Sequence, residues 1–265
     1  MGVGFFAPIR SETFGGLGPE TLRGFGMFML FLDLTLPTAA EDLALDEALM
    51  ETAASDSVGV LRIWERPDWC VVVGRSSRVQ DEVHLEICRQ AGVPVLRRAS
   101  GGAAVLLGGG CLIYTLIAPR VGFPLSHQIE AIHECVLGRI VEALRTQLPE
   151  IDRQGISDIA YQDRKFSGNS LRIKQQAVLY HGTILYNFAI DRVRDFLRLP
   201  PRQPAWRRNR DHDEFLTNLP LPRELIIQAL RSAWHAWESL EDWPREKVRR
   251  LVHEVYGQDE WNFAR

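Results

Sequence analysis

The sequence is poor in cysteine, and its four cysteines stand in no pattern that binds a metal. They lie apart at positions 70, 88, 111 and 135, without a CxxC pair and without histidines at the spacing of zinc ligands. We therefore predict no metal site, and we expect reduced thiols in a cytoplasmic protein. No basic segment leads into a clean apolar run near the start of the chain, so we predict no signal peptide.

Strong charge of one sign and long apolar runs are also missing. The 34 acidic and 31 basic residues leave a net charge of -3, so no basic field predicts nucleic-acid binding. The apolar run 27–32 is much too short to cross a membrane. The glycine motif that dinucleotide sites place between a strand and a helix is absent too. The sequence therefore predicts no partner of three kinds: nucleic acid, membrane or dinucleotide.

Hydrophobic periodicity predicts helices and strands that do not alternate regularly. Apolar residues at helical spacing predict helices over 41–52, 80–90, 126–148, 223–238 and 244–256, and a short helix over 191–197 capped by Asp191. Runs of β-branched and aromatic residues predict strands over 58–64, 69–73, 94–98, 111–118 and 177–188, with a hairpin turn at 162–164. This order favours an α+β fold with a mixed β-sheet flanked by helices.

Length and composition indicate one large domain with short additions. The chain has 265 residues, of which 46% are hydrophobic, and can bury a substantial core. Residues 1–28 are rich in glycine, and we predict that they form a disordered extension. We predict a main domain over residues 29–220 and a C-terminal helical appendage, residues 221–265, packed on it.

A run of small residues follows two arginines at the end of a predicted strand. The segment is Arg97-Arg98-Ala99-Ser100-Gly101-Gly102-Ala103-Ala104. Because small residues let a ligand approach main-chain N–H groups closely, this segment could bind an oxyanion or a phosphate. Neighbouring strand residues face opposite sides, so we expect only one of the two arginines to reach such a ligand. A tight turn with two solvated arginines is the alternative.

A lysine and a histidine are the other candidate functional residues. Lys165 lies at the start of a predicted strand, and its ammonium could hold a carboxylate beside a phosphate and stabilise charge during group transfer. A surface lysine of a hairpin is the alternative. His181 lies inside the apolar strand 177–188, where a lone histidine is more often a structural residue than a base.

Taken together, these segments resemble the lipoate-protein ligase A family. The motifs that carry the resemblance are RRASGG at 97–102, DRKFSGNS at 163–170 and HGTILY at 181–186. The segments 33–49 and 74–76 resemble the N-terminal strand and helix and a turn of the same family, so the similarity spans about residues 32–218. The resemblance implies the catalytic-domain fold of the biotin and lipoate protein ligases, a mixed sheet flanked by helices, over residues 29–220.

The resemblance also implies an activity. Ligases of this family use ATP, with Mg²⁺, to convert lipoate into lipoyl-AMP, and they transfer the lipoyl group to a lysine of a lipoyl-domain protein. We therefore expect an enzyme that attaches lipoate or a similar medium-chain acyl group to such a lysine. The acceptors it implies are of the 2-oxoacid dehydrogenase E2 or glycine cleavage H protein type. Some members of the family need an accessory activating subunit.

Family similarity places the catalytic lysine at Lys165. The substrate-binding residues that it implies are Arg97, Arg98, Ser100, Gly101, Gly102, Ala103, Asp158, Ser167, Gly168, Asn169, His181 and Gly182. Asp158 resembles the acidic member of an Asn-Asp pair of the family, with Ser157 in place of the Asn. We assign Asp158 a helping role in deprotonating the acceptor amine.

Departures from the family pattern keep two alternatives open. The third glycine of the glycine loop is Ala103, Leu107 and Gly108 occupy the His-Asp positions, and Cys111 occupies the Asn position. In the family, those polar groups help to bind the nucleotide. The alternatives are an octanoyl or lipoyl transferase that needs no ATP and a non-catalytic lipoate-binding module. A cysteine-based octanoyltransferase is disfavoured, because no cysteine stands where its nucleophile would lie.

The segment 200–220 combines prolines and arginines, and we predict an ordered surface loop. A second interpretation is a docking surface for an acidic lipoyl domain, because opposite charge speeds encounter. In that interpretation, Arg207 and Arg208 are the residues whose charge reversal should slow acceptor labelling.

Overall fold

A large mixed sheet and a small sheet form the frame of the computed structural model, which describes residues 28–56, 58–120 and 128–264. The strands are β1 (Met29–Asp33), β2 (Gly59–Glu65), β3 (Cys70–Val73), β4 (Val95–Arg97), β5 (Val105–Leu107), β6 (Cys111–Pro119), β7 (Ile151–Gln154), β8 (Asp158–Tyr161), β9 (Arg164–Ile173), β10 (Ala177–Leu185) and β11 (Glu238–Ser239). The large sheet has the order β11-β1-β2-β6-β10-β9-β8-β7, and the small sheet has the order β4-β3-β5. In the large sheet, β1 runs parallel to β2 and β11, and the other pairs are antiparallel.

Helices cover both faces of the large sheet. They are α1 (Ala39–Asp56), α2 (Val79–Glu82), α3 (Leu85–Gln90), α4 (Ile129–Arg145), α5 (Val193–Phe196), α6 (His212–Phe215), α7 (Arg223–Trp234), α8 (Arg245–Leu251) and α9 (Asp259–Asn262). One apolar core lies between the large sheet, α1, the small sheet and α8, and the other lies between the opposite face of the sheet, α4 and α7. Because side chains alternate between the two faces of a strand, β6 and β10 each contribute residues to both cores.

The first helix begins with a capping box and is buried on most sides. The backbone N–H of Thr38 donates to Glu41 at 2.9 Å, and the backbone N–H of Glu41 donates back to the Thr38 hydroxyl at 3.2 Å. Ala44, Leu45 and Ala48 are fully buried, so α1 lies close against β6 and β10. This packing brings the acidic side chains of α1 onto the sheet near the site described below.

The α+β prediction with a mixed sheet is confirmed, and so are most of the predicted elements. The hairpin turn consists of Gln162 and Asp163, whose φ angles of 50° and 59° are those of a type I′ turn. The predicted helix over 80–90 is divided into α2 and α3. The division lies at Val83 and His84: Val83 forms a β-bridge with Leu197, just after α5, and the backbone N–H of His84 donates to the carbonyl of Phe196, the last residue of α5.

Several details differ from the predictions. Asp191 does not cap the short helix: a 3-10 turn, Ile190–Arg192, precedes α5, and neither element has a side-chain cap. The segment 200–220 contains a 3-10 turn, Ala205–Arg207, and α6. Strands β5, β7 and β11 are additional to those predicted, and β11 begins at the end of the predicted helix 223–238, which is observed only as far as Trp234. The predicted helix 126–148 is observed as α4, and its residues 126–127 lie outside the described part of the chain.

The C-terminal segment joins the large sheet and the small sheet. β11 pairs with β1 at the edge of the large sheet, and the Asn262 side chain accepts a hydrogen bond from the backbone N–H of Arg97, in β4, at 2.9 Å. A division of the chain at residue 220 stays a prediction, and residues 1–27 of the predicted extension lie outside the described residues. Among the described residues, no helix has the length and apolar character needed to span a membrane.

Candidate functional site

A cavity of about 560 Å³ lies between the two sheets. One part of its wall is apolar and comes from α1, β2, β5, β6, β10 and α5; its residues are Leu43, Trp64, Leu106, Leu107, Cys111, Ile113, Leu185, Phe188 and Val193. The other part is polar and comes from β8, β9, the glycine loop and the segment 198–216. The cavity can therefore hold a molecule with an apolar tail and an anionic end.

The polar part of the wall is built around an ion pair. The Nζ atom of Lys165, at the start of β9, lies 2.6 Å from Oδ1 of Asp158, at the start of β8. Asp158 is almost completely buried, whereas a quarter of the Lys165 side chain is exposed. The hairpin that joins β8 and β9 holds the two residues on neighbouring strands. A partly exposed ammonium on a buried carboxylate can still turn towards an incoming anion.

Gly168 gives the lysine side chain its place on the sheet. A Cβ atom at Gly168 would lie 2.7 Å from Nζ and 2.8 Å from Cε of Lys165. The lysine side chain therefore lies across the backbone of Gly168. A side chain at this position would force the end of the lysine to move away from its observed place.

Asn169 connects the two strands that carry the ion pair. Its side-chain N–H donates to the backbone carbonyl of Ser157 at 2.8 Å, and its Oδ1 accepts from the hydroxyl of Tyr114. Burial raises the pKa of Tyr114 well above its usual range, so this hydroxyl stays a donor. Gly182 leaves the space for Asn169, since a Cβ atom there would lie 1.8 Å from Oδ1.

Arg98 organises the glycine loop. Its guanidinium donates to the carbonyls of Val72, at 3.1 Å, and Ala103, at 2.9 Å, and to the Ser100 hydroxyl at 3.1 Å. It also donates to the carbonyl of Gly101. Burial lowers the pKa of Arg98 to about 10, which leaves the group charged at neutral pH. Arg98 lines the cavity, but most of its donors shape the loop.

Arg97 does not reach the cavity. It is 1% exposed, and its guanidinium donates to the carbonyls of Gly74, at 2.8 Å, Ser77, at 2.9 Å, and Trp261, at 3.0 Å. The prediction that Arg97 contacts a ligand is therefore not matched by its place in the fold. The expectation that only one of the two arginines faces the site agrees with the observed arrangement.

His181 takes part in a chain of polar contacts behind the glycine loop. Its Nε2 atom lies 2.5 Å from the Ser100 hydroxyl, and its Nδ1 atom lies 3.7 Å from Oδ2 of Asp46. Burial acts to raise the pKa of Asp46, but Arg62, 2.6 Å away, and His181 outweigh it and lower the pKa. Asp46 therefore stays ionised and favours the tautomer in which Nδ1 carries the proton and Nε2 accepts from Ser100.

The structure brings together most of the predicted site residues. Those that line the cavity are Arg98, Gly102, Ala103, Asp158, Lys165, Gly168, Asn169, His181 and Gly182. Ser100, Gly101 and Ser167 are next to the wall: Ser100 and Ser167 are buried behind it, and Gly101 is exposed at its edge. Gly102 has φ +89°, a conformation that favours glycine, whereas a Cβ atom at Gly101 would meet nothing within 4 Å.

Sequence patterns missed the contribution of the segment 198–216. Trp206, Arg207, His212 and Phe215 do not follow a helical or strand period, but Arg207, His212 and Phe215 line the cavity, and the Trp206 indole donates to Asp158 at 3.2 Å. Arg207 is buried, with its guanidinium 4.7 Å from the centre of the Phe215 ring. The prediction of a surface loop is therefore wrong for this residue. The prolines and aromatic residues near the arginines are the signal that could have indicated packing.

Thiol chemistry finds little support at the cavity. Burial raises the pKa of the Cys111 thiol well above its usual range, so this cavity-lining cysteine stays protonated and weakly nucleophilic. In the part of the chain that the structure describes, no three His, Cys, Asp or Glu side chains gather as metal ligands.

Both the sequence and the fold are similar to those of known proteins. A family model for the lipoyl protein ligase A/B catalytic domain matches residues 38–234. A putative lipoate-protein ligase A of Aeropyrum pernix is 33% identical over 153 residues, which cover 58% of this chain and 56% of that protein. A bi-partite lipoate protein ligase of Thermoplasma acidophilum, solved with its E2 lipoyl domain in the same study, has a TM-score of 0.75 at 21% identity, over 89% of this chain and 96% of that one. A lipoate-protein ligase A bound with ATP has a TM-score of 0.73 at 21% identity, over 89% and 98%.

Proposed function

This chain belongs to the lipoyl protein ligase A/B catalytic domain family, and we propose that it attaches lipoate, or a similar medium-chain acyl group, to a lysine of an acceptor protein. The observation that carries the proposal is the Lys165–Asp158 ion pair in the polar wall of a cavity whose other wall is apolar. The chain spans just over half the length of the Aeropyrum pernix relative. The activity, the substrates and the partners of this chain are therefore proposals.

The apolar wall fits the tail of the substrate. Each buried methylene contributes about 0.8 kcal/mol to binding, so a tail of medium length supplies several kcal/mol without any polar contact. The carboxylate end of the substrate then lies near Lys165. The ammonium of Lys165 forms the ion pair with Asp158 and is partly exposed. An apolar wall with one charged end binds a fatty or lipoyl acid and rejects a small polar one.

The positive charge of the polar wall supports a nucleotide as the second substrate. Cationic side chains along the polar wall outnumber acidic ones: Arg98, Lys165, Arg198, Arg202 and Arg207 stand against Glu82 and Asp158. We infer that the lipoate carboxylate attacks the α-phosphorus of ATP, the bond to pyrophosphate breaks, and lipoyl-AMP forms. Lys165 stabilises the charge that develops between the acyl oxygen and the phosphate. Mg²⁺ bound with the nucleotide would neutralise charge on its phosphates.

In the second half-reaction, the acceptor lysine attacks the acyl carbonyl and AMP leaves. The acceptor amine must lose a proton, and Asp158 is the carboxylate beside Lys165 at the cavity wall. We propose lipoyl domains of the E2 or H-protein type as acceptors, in a cytoplasmic setting, with an accessory subunit as a component to be tested. The Thermoplasma acidophilum ligase is described together with its E2 lipoyl domain, which supports this choice of acceptor.

The test is a reconstitution with purified components. The full chain is incubated with lipoate, ATP, Mg²⁺ and an apo lipoyl domain, and pyrophosphate, lipoyl-AMP and lipoylated acceptor are measured separately. We expect all three products. Acceptor labelling from an octanoyl carrier protein without ATP would instead identify the transferase. Lipoate binding without a product from either donor, with and without an accessory subunit, would identify a binding module.

A further inference from the structure

The carboxylate of Asp158 is shared between Lys165 and a tryptophan that lies far along the chain. The Nζ atom of Lys165 is 2.6 Å from Oδ1, and the indole N–H of Trp206 donates to Oδ2 at 3.2 Å. Within the described residues, these are the hydrogen-bonding and ionic partners of the Asp158 side chain. Asp158 is 5% exposed, so few water molecules can replace either partner.

Trp206 is held firmly in this position by its own segment. We call residues 198–216 the strap; it contributes to the cavity wall and ends in α6. The Trp206 ring packs on Phe215 with 4.5 Å between ring centres, and the Arg210 guanidinium lies 5.6 Å above it. Arg210 also donates to the backbone carbonyl of Trp206 at 3.1 Å. The indole is therefore fixed by the strap rather than by Asp158 alone.

The turn before β8 is shaped to receive this indole. Gly155 has φ +56°, and a Cβ atom there would lie 3.2 Å from Cδ1 and 3.3 Å from Nε1 of Trp206. A side chain at Gly155 would thus press on the tryptophan and strain its own backbone. The same turn leads directly into Asp158, so the place of the indole and the place of the carboxylate are set by one short stretch of chain.

We propose that Trp206 is a positioning residue for the ligase reaction: its N–H holds one oxygen of Asp158 and so sets where Lys165 presents its ammonium. This inference rests on the proposed function. A carboxylate with two oxygens free can turn and bind the ammonium through both, which would draw Lys165 away from the substrate. With Oδ2 occupied by the indole, Lys165 meets a single oxygen and stays free to turn towards the cavity. The strap is thereby coupled to the reacting end of the site.

The experiment compares Trp206→Phe with a matched control. Phenylalanine keeps an aromatic ring for Phe215 and Arg210, removes the N–H donor and makes the ring smaller, and the control makes the same change in size. The control is Trp243→Phe, because Trp243 is also partly buried under an arginine, with the Arg245 guanidinium 4.4 Å from its ring centre. We expect Trp206→Phe to lower kcat for lipoyl-AMP formation about tenfold, as the loss of a hydrogen bond to a charged group predicts. The KM for lipoate should change less than about twofold, since Trp206 is not among the residues that line the cavity.

A double-mutant cycle with Asp158→Ala tests whether Trp206 acts through the carboxylate. In the Asp158→Ala background, Trp206→Phe should change kcat by less than about twofold, because the donor has lost its acceptor. Losses that multiply, or a change in KM alone, would overturn the inference while the ligase activity of the parent stands. An unchanged kcat in Trp206→Phe would overturn it too. If the parent protein forms no product with either acyl donor, the proposed function is wrong, and the inference about Trp206 is wrong with it.

Discussion

Replacement of Lys165 by alanine separates the chemical role of the lysine from its structural role. The ammonium is proposed to stabilise charge at the acyl phosphate, and removal of one such donor lowers kcat about 100- to 1000-fold. The same change leaves the Asp158 carboxylate buried beside the Trp206 indole. Breaking a buried ion pair costs about 3–5 kcal/mol, and the partial exposure of the lysine side chain reduces this to about 1–3 kcal/mol. We therefore expect loss of activity and a moderate loss of stability.

The two effects are measured by different assays. Pyrophosphate release with lipoate and ATP reports the first half-reaction, and urea unfolding at neutral pH reports stability. The double variant Lys165→Met with Asp158→Asn removes both charges, so it should regain most of the stability and none of the activity. Release of pyrophosphate by Lys165→Ala within tenfold of the parent would refute the assignment. Recovery of activity in the double variant would show that Lys165 matters only for folding.

Three further substitutions test the surroundings of the site. Gly168→Ala would place a Cβ atom 2.7 Å from Nζ of Lys165. Because the ammonium would be displaced, pyrophosphate release should fall about tenfold. A rate equal to that of the parent would show that the lysine need not lie across this glycine. Asn262→Ala leaves the backbone N–H of Arg97 without its acceptor and should lower the urea unfolding free energy by about 1–3 kcal/mol; an unchanged midpoint and slope would contradict the contact. Burial lowers the pKa of His133, so the unfolded chain binds its proton first as the pH falls, and stability should drop between about pH 7 and 5. His133→Gln should make this drop smaller, and equal slopes for variant and parent would rule out the contribution.

Much of the frame of the site follows from the sequence. The apolar runs that predict β6 and β10 are the strands that meet at its centre, and the helical stripe of α1 faces them. The segments around Arg98, Lys165 and His181 are far apart in the chain, yet all three contribute to one cavity. The resemblance to a family predicted that gathering. Periodicity alone could not, since it reports which face of an element is buried and not which elements meet.

The arginine pair shows where local patterns stop. Strand geometry predicts that Arg97 and Arg98 face opposite sides, but it does not say which side is the cavity. Trp261 and Asn262 decide this, because they lie on the Arg97 side: the Trp261 carbonyl and the Asn262 side chain accept hydrogen bonds from Arg97, and the Trp261 indole donates one to the Arg97 carbonyl. A contact between residues about 165 positions apart has no signal in a local window. Local patterns therefore cannot predict which of the two arginine side chains reaches the cavity, because that depends on the position of the C-terminal segment.

The strap also changes the proposed docking experiment for an acidic acceptor. Arg207 is 4% exposed, its Nε donates to the carbonyl of Arg210 at 2.9 Å, and its guanidinium stacks on Phe215. An acidic residue in its place would disrupt the cavity wall, so slower labelling would say nothing about docking. Arg208 is different, because 68% of its side chain is exposed and, among the described residues, its ionic contact is the 3.5 Å one with Asp163. Charge reversal at Arg208 alone should raise the KM for the lipoyl domain and leave lipoyl-AMP formation unchanged, and equal rates of transfer in variant and parent would reject the docking surface.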